Sequence, residues 1–127
     1  MKKVKRIVCL MVATCIILSA LCITAAAKSG SGTYNGNTYT VTLTLNRRNM
    51  TSRITYPTTI QLGFLGYGES SLGSGYAKVS CANNGMSTSI AKTVVPPNDS
   101  LQFYYGYQEY YCNSHYMKTL TDSLTRL

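Results

Sequence analysis

The sequence has no tryptophan, two phenylalanines, three prolines and one histidine, and only four of its 127 residues are acidic. Each scarcity removes a class of chemistry. A single imidazole, His115, gives too few donors for the usual Cys/His zinc site once the cysteines near the N-terminus are set aside. The missing tryptophan argues against a standard antibody-type domain, which packs that residue against its central disulfide. Four acids leave one carboxylate pair to consider for glycoside hydrolysis, Glu69 with Glu109. No serine sits in a Gly-x-Ser-x-Gly elbow, and no motif gives His115 a nucleophile to activate. The sequence therefore implies no cofactor, no metal and no catalytic residue.

The opening of the chain differs from the rest. Met-Lys-Lys-Val-Lys-Arg precedes an apolar run from Ile7 to Thr24, which ends in Ala25-Ala26-Ala27. Cationic start, apolar segment and small-residue junction are the three parts of a secretory signal. Residues 1–27 are expected to be a signal peptide and residues 28–127 a single secreted β domain, extracellular or associated with the cell surface. The competing reading keeps the apolar run as a membrane anchor, since it approaches the ~18–20 residues that span a bilayer.

Cys9, Cys15 and Cys22 fall in the removable segment. Cys81 and Cys112 remain, and in an oxidising exterior they are expected to form one disulfide. Beyond Ala27 there are eight basic residues against four acids, a formal charge of +4 instead of the whole-chain +8.

From Thr33 onward the pattern alternates with period two. Tyr39, Val41, Leu43 and Leu45 share one face and threonines the other, as in a half-buried strand. Asn35-Gly36 tolerates the positive φ angles of a type I′ turn and predicts a hairpin. Met50, Ile54 and Tyr56 mark a further strand, which Pro57 ends or places at an edge because it has no N–H to donate. Thr58–Leu65 reads as another strand. The glycine-rich run from Gly66 to Gly75 is expected to be a mobile loop, and Asn84-Gly85 a two-residue hairpin turn. A last strand is expected over His115–Leu120. The expected fold is a small antiparallel β-sandwich, loosely immunoglobulin-like, or a barrel, with seven or eight short strands.

Six of the eleven tyrosines lie between Phe103 and Tyr116. Strict alternation fails there, because it would bring Glu109 inward and turn Cys112 out. One extra residue at Gly106-Tyr107, a β-bulge, restores the pattern. Leu101, Phe103 and Tyr105 then point inward before it, and Tyr110 and Cys112 after it. Tyr104, Glu109, Tyr111 and His115 are left as candidate binding residues. Tyrosine is also a good strand former in its own right, so packing and recognition both account for such a stretch. Beyond Ala27, Arg47, Arg48 and Arg53 form the one basic cluster, a candidate contact for an anionic surface, although three charges suit a solvated loop that protects a sheet edge better.

The Ala25-Ala26-Ala27 junction, the hairpin of Thr33 to Leu45 and the closing Asn113-Ser114-His115-Tyr116-Met117-Lys118-Thr119-Leu120 resemble small exported proteins of Gram-positive bacteria, with a signal peptide and a Thr/Ser/Tyr-rich β domain. The resemblance implies a location and a fold class. The expected role is non-enzymatic binding of a cell-wall glycan or another extracellular protein through an aromatic face. No nucleic-acid contact is expected, and membrane contact only during export. The alternative is a small bacteriocin-like toxin acting on cell envelopes.

Overall fold

The computed structural model describes residues 25–125 and is all-β. The expected signal segment lies outside the described residues except for Ala25 to Ala27. Those three open the first strand, so a cut after Ala27 would leave Lys28 to Tyr34 still paired. The strands are β1 (Ala25–Tyr34), β2 (Asn37–Asn46), β3 (Met50–Leu72), β4 (Gly75–Val94), β5 (Gln102–Cys112) and β6 (His115–Ser123).

All pairings are antiparallel, in the order β1-β2-β3-β5-β6, with β4 on the free flank of β3. The first half of β3 pairs with β2 and the second half with β5, while β4 follows it along both. The outermost strands β1 and β6 approach each other, and the stem of Lys118 lies over Gly30. The sheet thus nearly closes on itself.

Six strands replace the expected seven or eight because β3 and β4 are long, at 23 and 20 residues. Pairing lapses between Thr55 and Ile60, around Pro57, and then resumes. The proline interrupts the ladder as expected without ending the strand. The first hairpin forms as read, with Asn35 and Gly36 at φ 48° and 80°.

Two expectations about loops and turns fail. Gly66 to Leu72 is strand, and the turn follows at Gly73, where φ is 58°. The glycines answer a close approach between strands: a Cβ at Gly66 would overlap the Tyr107 carbonyl, and one at Gly68 would meet the Phe103 ring at 2.7 Å. Asn84-Gly85 is no turn either. It lies inside β4, with Asn84 opposite Gly63 and Gly85 opposite Leu62.

The core lies between the two halves. Val41, Leu43, Leu45, Met50 and Ile54 from one half meet Leu62, Phe64, Phe103 and Tyr110 from the other, all nearly or wholly sealed from solvent. Burying each large apolar side chain is worth roughly 1.5–3 kcal/mol. Gly106 completes the contact, since a Cβ there would come within 2.8 Å of Met50 Sδ.

The expected disulfide is absent, and Cys81 and Cys112 are buried free thiols. Cys81 stands opposite Gly66 on one side of β3, and Cys112 opposite Leu62 on the other. Two strand spacings and four residues put their Cα atoms roughly 16 Å apart. A disulfide needs less than about 7 Å.

The bulge in β5 exists, but its extra residue is Tyr104: Phe103 pairs with Ser70 and Tyr105 with Glu69. Tyr105 is therefore turned out of the core, contrary to expectation, whereas Leu101, Phe103, Tyr110 and Cys112 point inward as read.

Candidate functional site

On the outer face of the β4-β3-β5-β6 region, the strand register assembles a continuous aromatic surface. Tyr67 stands opposite Tyr107, and their rings stack at 5.4 Å with 21° between planes. Tyr105 lies 6.3 Å from Tyr67, and Tyr116 meets Tyr111 edge-on at 6.0 Å. None of these five tyrosines belongs to the core cluster or packs against it.

Glu109 sits at the centre of this surface. Period-two geometry places Tyr107 and Tyr111 on its own face to either side. Both donate their hydroxyls to its carboxylate, Tyr107 to Oε1 and Tyr111 to Oε2, the latter at 2.7 Å. The Tyr107 bond, and then the Tyr111 bond, hold the Glu109 carboxyl below the usual range. The same bonding pushes Tyr107 up to about 12 and raises Tyr111. Glu109 is thus an ionised clamp that fixes two phenol rings.

A second charged group ends the surface. Glu69 accepts from the Tyr104 hydroxyl at 3.0 Å and lies 3.9 Å from Lys78 Nζ, which sits 4.3 Å above the Tyr67 ring. Glu69 pairs with Tyr105 and Glu109 with Leu65, four residues further along β3. Their Cα atoms are therefore roughly 14 Å apart, and each carboxylate turns to its own partners, Glu69 to Tyr104 and Lys78, Glu109 to Tyr107 and Tyr111.

Beyond Tyr111 the face opens into a hollow of about 610 Å³. Gly63 forms its floor between Asn84 and Tyr111, and Gln61, Leu65 and Ser114 line it. Ser114 belongs to the β5–β6 turn, where Asn113 and Ser114 take φ 48° and 65°.

Of the four residues singled out from sequence, the structure brings Glu109 and Tyr111 into direct contact. Tyr104 belongs to the Glu69 end. His115 points elsewhere, with Nδ1 3.0 Å from the Asn113 carbonyl and its ring 5.9 Å from Tyr34. Tyr67, Tyr105, Tyr107 and Tyr116 were not singled out, since only the pairing of β3 with β5 and β6 shows that they converge.

The basic cluster is divided. Arg47 donates to the Phe103 carbonyl at 3.4 Å, and Arg48 to the Leu101 carbonyl at 2.8 Å and to Asp99. Both fasten the β2–β3 loop to the segment before β5. Arg53 stands apart on the outer face of the other half, in register with Thr42 and Ala91. That face is rich in threonine, and its hydroxyls bond one another, as in the Thr40–Thr55 pair and Thr51–Thr93 at 2.8 Å. Among the described residues no three His, Cys, Asp or Glu side chains gather as metal ligands, and no helix is long and apolar enough to cross a membrane.

Comparison with family models, curated proteins and solved structures finds no match for this chain. The residues themselves define a small, nearly closed antiparallel β domain with one ordered aromatic face.

Proposed function

We propose that this is a non-enzymatic, secreted or cell-surface β domain of sandwich-like build that binds a glycan or an extracellular protein through its outer tyrosines. One observation carries the reading: five tyrosine rings outside the core lie on one face in two groups, Tyr67-Tyr105-Tyr107 and Tyr111-Tyr116, and the Glu109 carboxylate bridges them, holding one ring of each in fixed orientation. Solvent-facing aromatics held rigid before contact are what recognition requires, because their ordering entropy is not lost on binding. Tyrosine is enriched at the energetic centres of interfaces for its large, flat, amphipathic surface.

A binding role is also favoured over hydrolysis by the engagement of both carboxylates with neighbouring phenols.

The test is retention of the protein on isolated cell walls and on arrays of extracellular glycans and proteins. Tyr107→Thr and Tyr111→Thr keep a strand-forming residue and are expected to weaken retention at least tenfold, with Tm nearly unchanged. Wild-type protein that is retained nowhere, or variants that bind equally well, overturn the reading. Leakage from liposomes at micromolar protein would favour the toxin alternative instead.

A further inference from the structure

We propose that the hollow at the β5–β6 turn is a subsite for an uncharged, hydroxyl-rich sugar ring, so that the ligand of the aromatic face is a neutral glycan. This rests on the reading above and narrows it.

The first observation is the chemistry of the lining. At about 610 Å³ the hollow falls within the ~300–1,000 Å³ of small-molecule sites, and none of its lining residues is charged. Asn84, Gln61 and Ser114 offer amides and a hydroxyl, groups that both donate and accept, which suits a ring carrying hydroxyls on its rim. The flank of Tyr111 and the exposed Leu65 supply apolar surface for the ring's C–H face. Exposed Met86, opposite Gln61, extends that apolar margin.

The second observation concerns sign. Leu65 is the cross-strand partner of Glu109, so an ionised carboxylate stands beside the hollow. An anionic polymer would meet repulsion there, and a cation would find the carboxylate oxygens already engaged by Tyr107 and Tyr111. A neutral ligand escapes both difficulties.

The third observation is the backbone. Gly63 has no steric need to be glycine: a Cβ there would meet its nearest neighbours at 3.7–4.0 Å, ordinary contact. A side chain would instead fill the hollow. Ser114 shows the converse. At φ 65° it holds the left-handed position that glycine fills in the matching β1–β2 turn, Asn35-Gly36. Such strain is retained where the side chain serves a purpose, and Ser114 lines the hollow.

The experiment is affinity electrophoresis of the intact protein through gels containing either neutral hydroxyethyl cellulose and soluble chitin oligomers, or anionic carboxymethyl cellulose and polygalacturonate. At an ionic strength that screens its net positive charge, wild-type protein is expected to be retarded by at least one neutral gel and to migrate freely in the anionic ones. Tyr111→Thr should weaken binding on the order of 30-fold, as for an aromatic anchor. Gly63→Leu, which fills the hollow, should weaken it similarly with unchanged Tm. Ser114→Gly should raise Tm while weakening binding about 5- to 10-fold, the worth of one hydrogen bond. A structural role alone would give the first effect without the second.

Retardation by the anionic gels, or by protein partners, that depends on Tyr107 and survives Gly63→Leu overturns the neutral-glycan proposal and leaves the aromatic-face reading standing. Free migration in every gel, together with no retention on walls or arrays, overturns both.

Discussion

The hydroxyl of Tyr110 lies 2.7 Å from Ser52 Oγ inside the sealed core, and donates to the Thr42 carbonyl at 2.9 Å. Of the six tyrosines in the Phe103–Tyr116 stretch, this one is wholly buried, and its environment predicts a different response from the rest. Tyr110→Phe leaves two buried polar groups short of a partner and should cost roughly 1–3 kcal/mol, or about 4–8 °C in Tm per kcal/mol for a domain of this size. Tyr111→Phe, at the surface, should leave Tm nearly unchanged. Thermal melts of the two variants side by side provide the check.

Alkaline titration separates the tyrosines by cause. Tyr107 is pushed up to about 12 by its bond to Glu109, and Tyr110 to about 12 by burial. Both folded values exceed the ordinary 10, so the associated stability is fully present below pH 10 and fades as pH rises towards 12. Glu109→Gln should return Tyr107 towards 10 and leave Tyr110 late. Tyrosinate absorbance in which this variant shows no additional early-ionising group relative to the parent would refute the clamp.

At the acid end the sign reverses. Glu109 is held below its ordinary 4.5, so its contribution is present above about 4.5 and is lost as pH falls through the folded value. Glu109→Gln should therefore show a shallower loss of Tm on acidification than the parent.

Cys81 and Cys112 are expected to stay as thiols. Burial pushes both up, which disfavours the reactive thiolate. Alkylation with peptide mapping should label neither residue in the folded protein and both after unfolding without reductant. Reductant should leave Tm unchanged. A Cys81–Cys112 peptide would mean that β3 does not separate them.

Gly66→Ala should be among the most damaging small changes, because the new methyl group would overlap the Tyr107 carbonyl and force β3 from β5. A cost of roughly 3 kcal/mol or more is expected, at the upper end for overpacking. Gly63→Ala, on the same strand with its face open, should cost far less. Urea unfolding of the pair tests the contrast.

How much of this was legible depends on what each residue answers to. The Tyr39–Leu45 alternation and the Asn35-Gly36 turn are decided locally and were readable. The core positions Phe103, Tyr110 and Cys112 were readable because a bulge was the only way to reconcile them with one buried face. The bulge itself lies at Tyr104: Gly106 invites one, yet it is glycine because Met50 lies against it. Gly66 and Gly68 looked like a loop for the same reason, since glycine signals both a turn and a close approach, and the strand that approaches is distant in sequence. The disulfide was inferred from a count of two, and a count carries no distance. At the candidate site Glu109 and Tyr111 stood out from their own strand, whereas Tyr67 and the hollow at Gly63 became visible only through the register of β3.

That register has a consequence for how the molecule resists attack. β3 supplies a neighbouring strand for β2 in one half and for β5 in the other, so neither hairpin, β1–β2 or β5–β6, stays joined to the sheet when β3 leaves. Local opening is then confined to the rims, and backbone amides of β2 and β5 should exchange with solvent at one common, global rate. A protease meeting this chain waits for the whole of it to unfold, and its lifetime is set by overall stability instead of by any single loop.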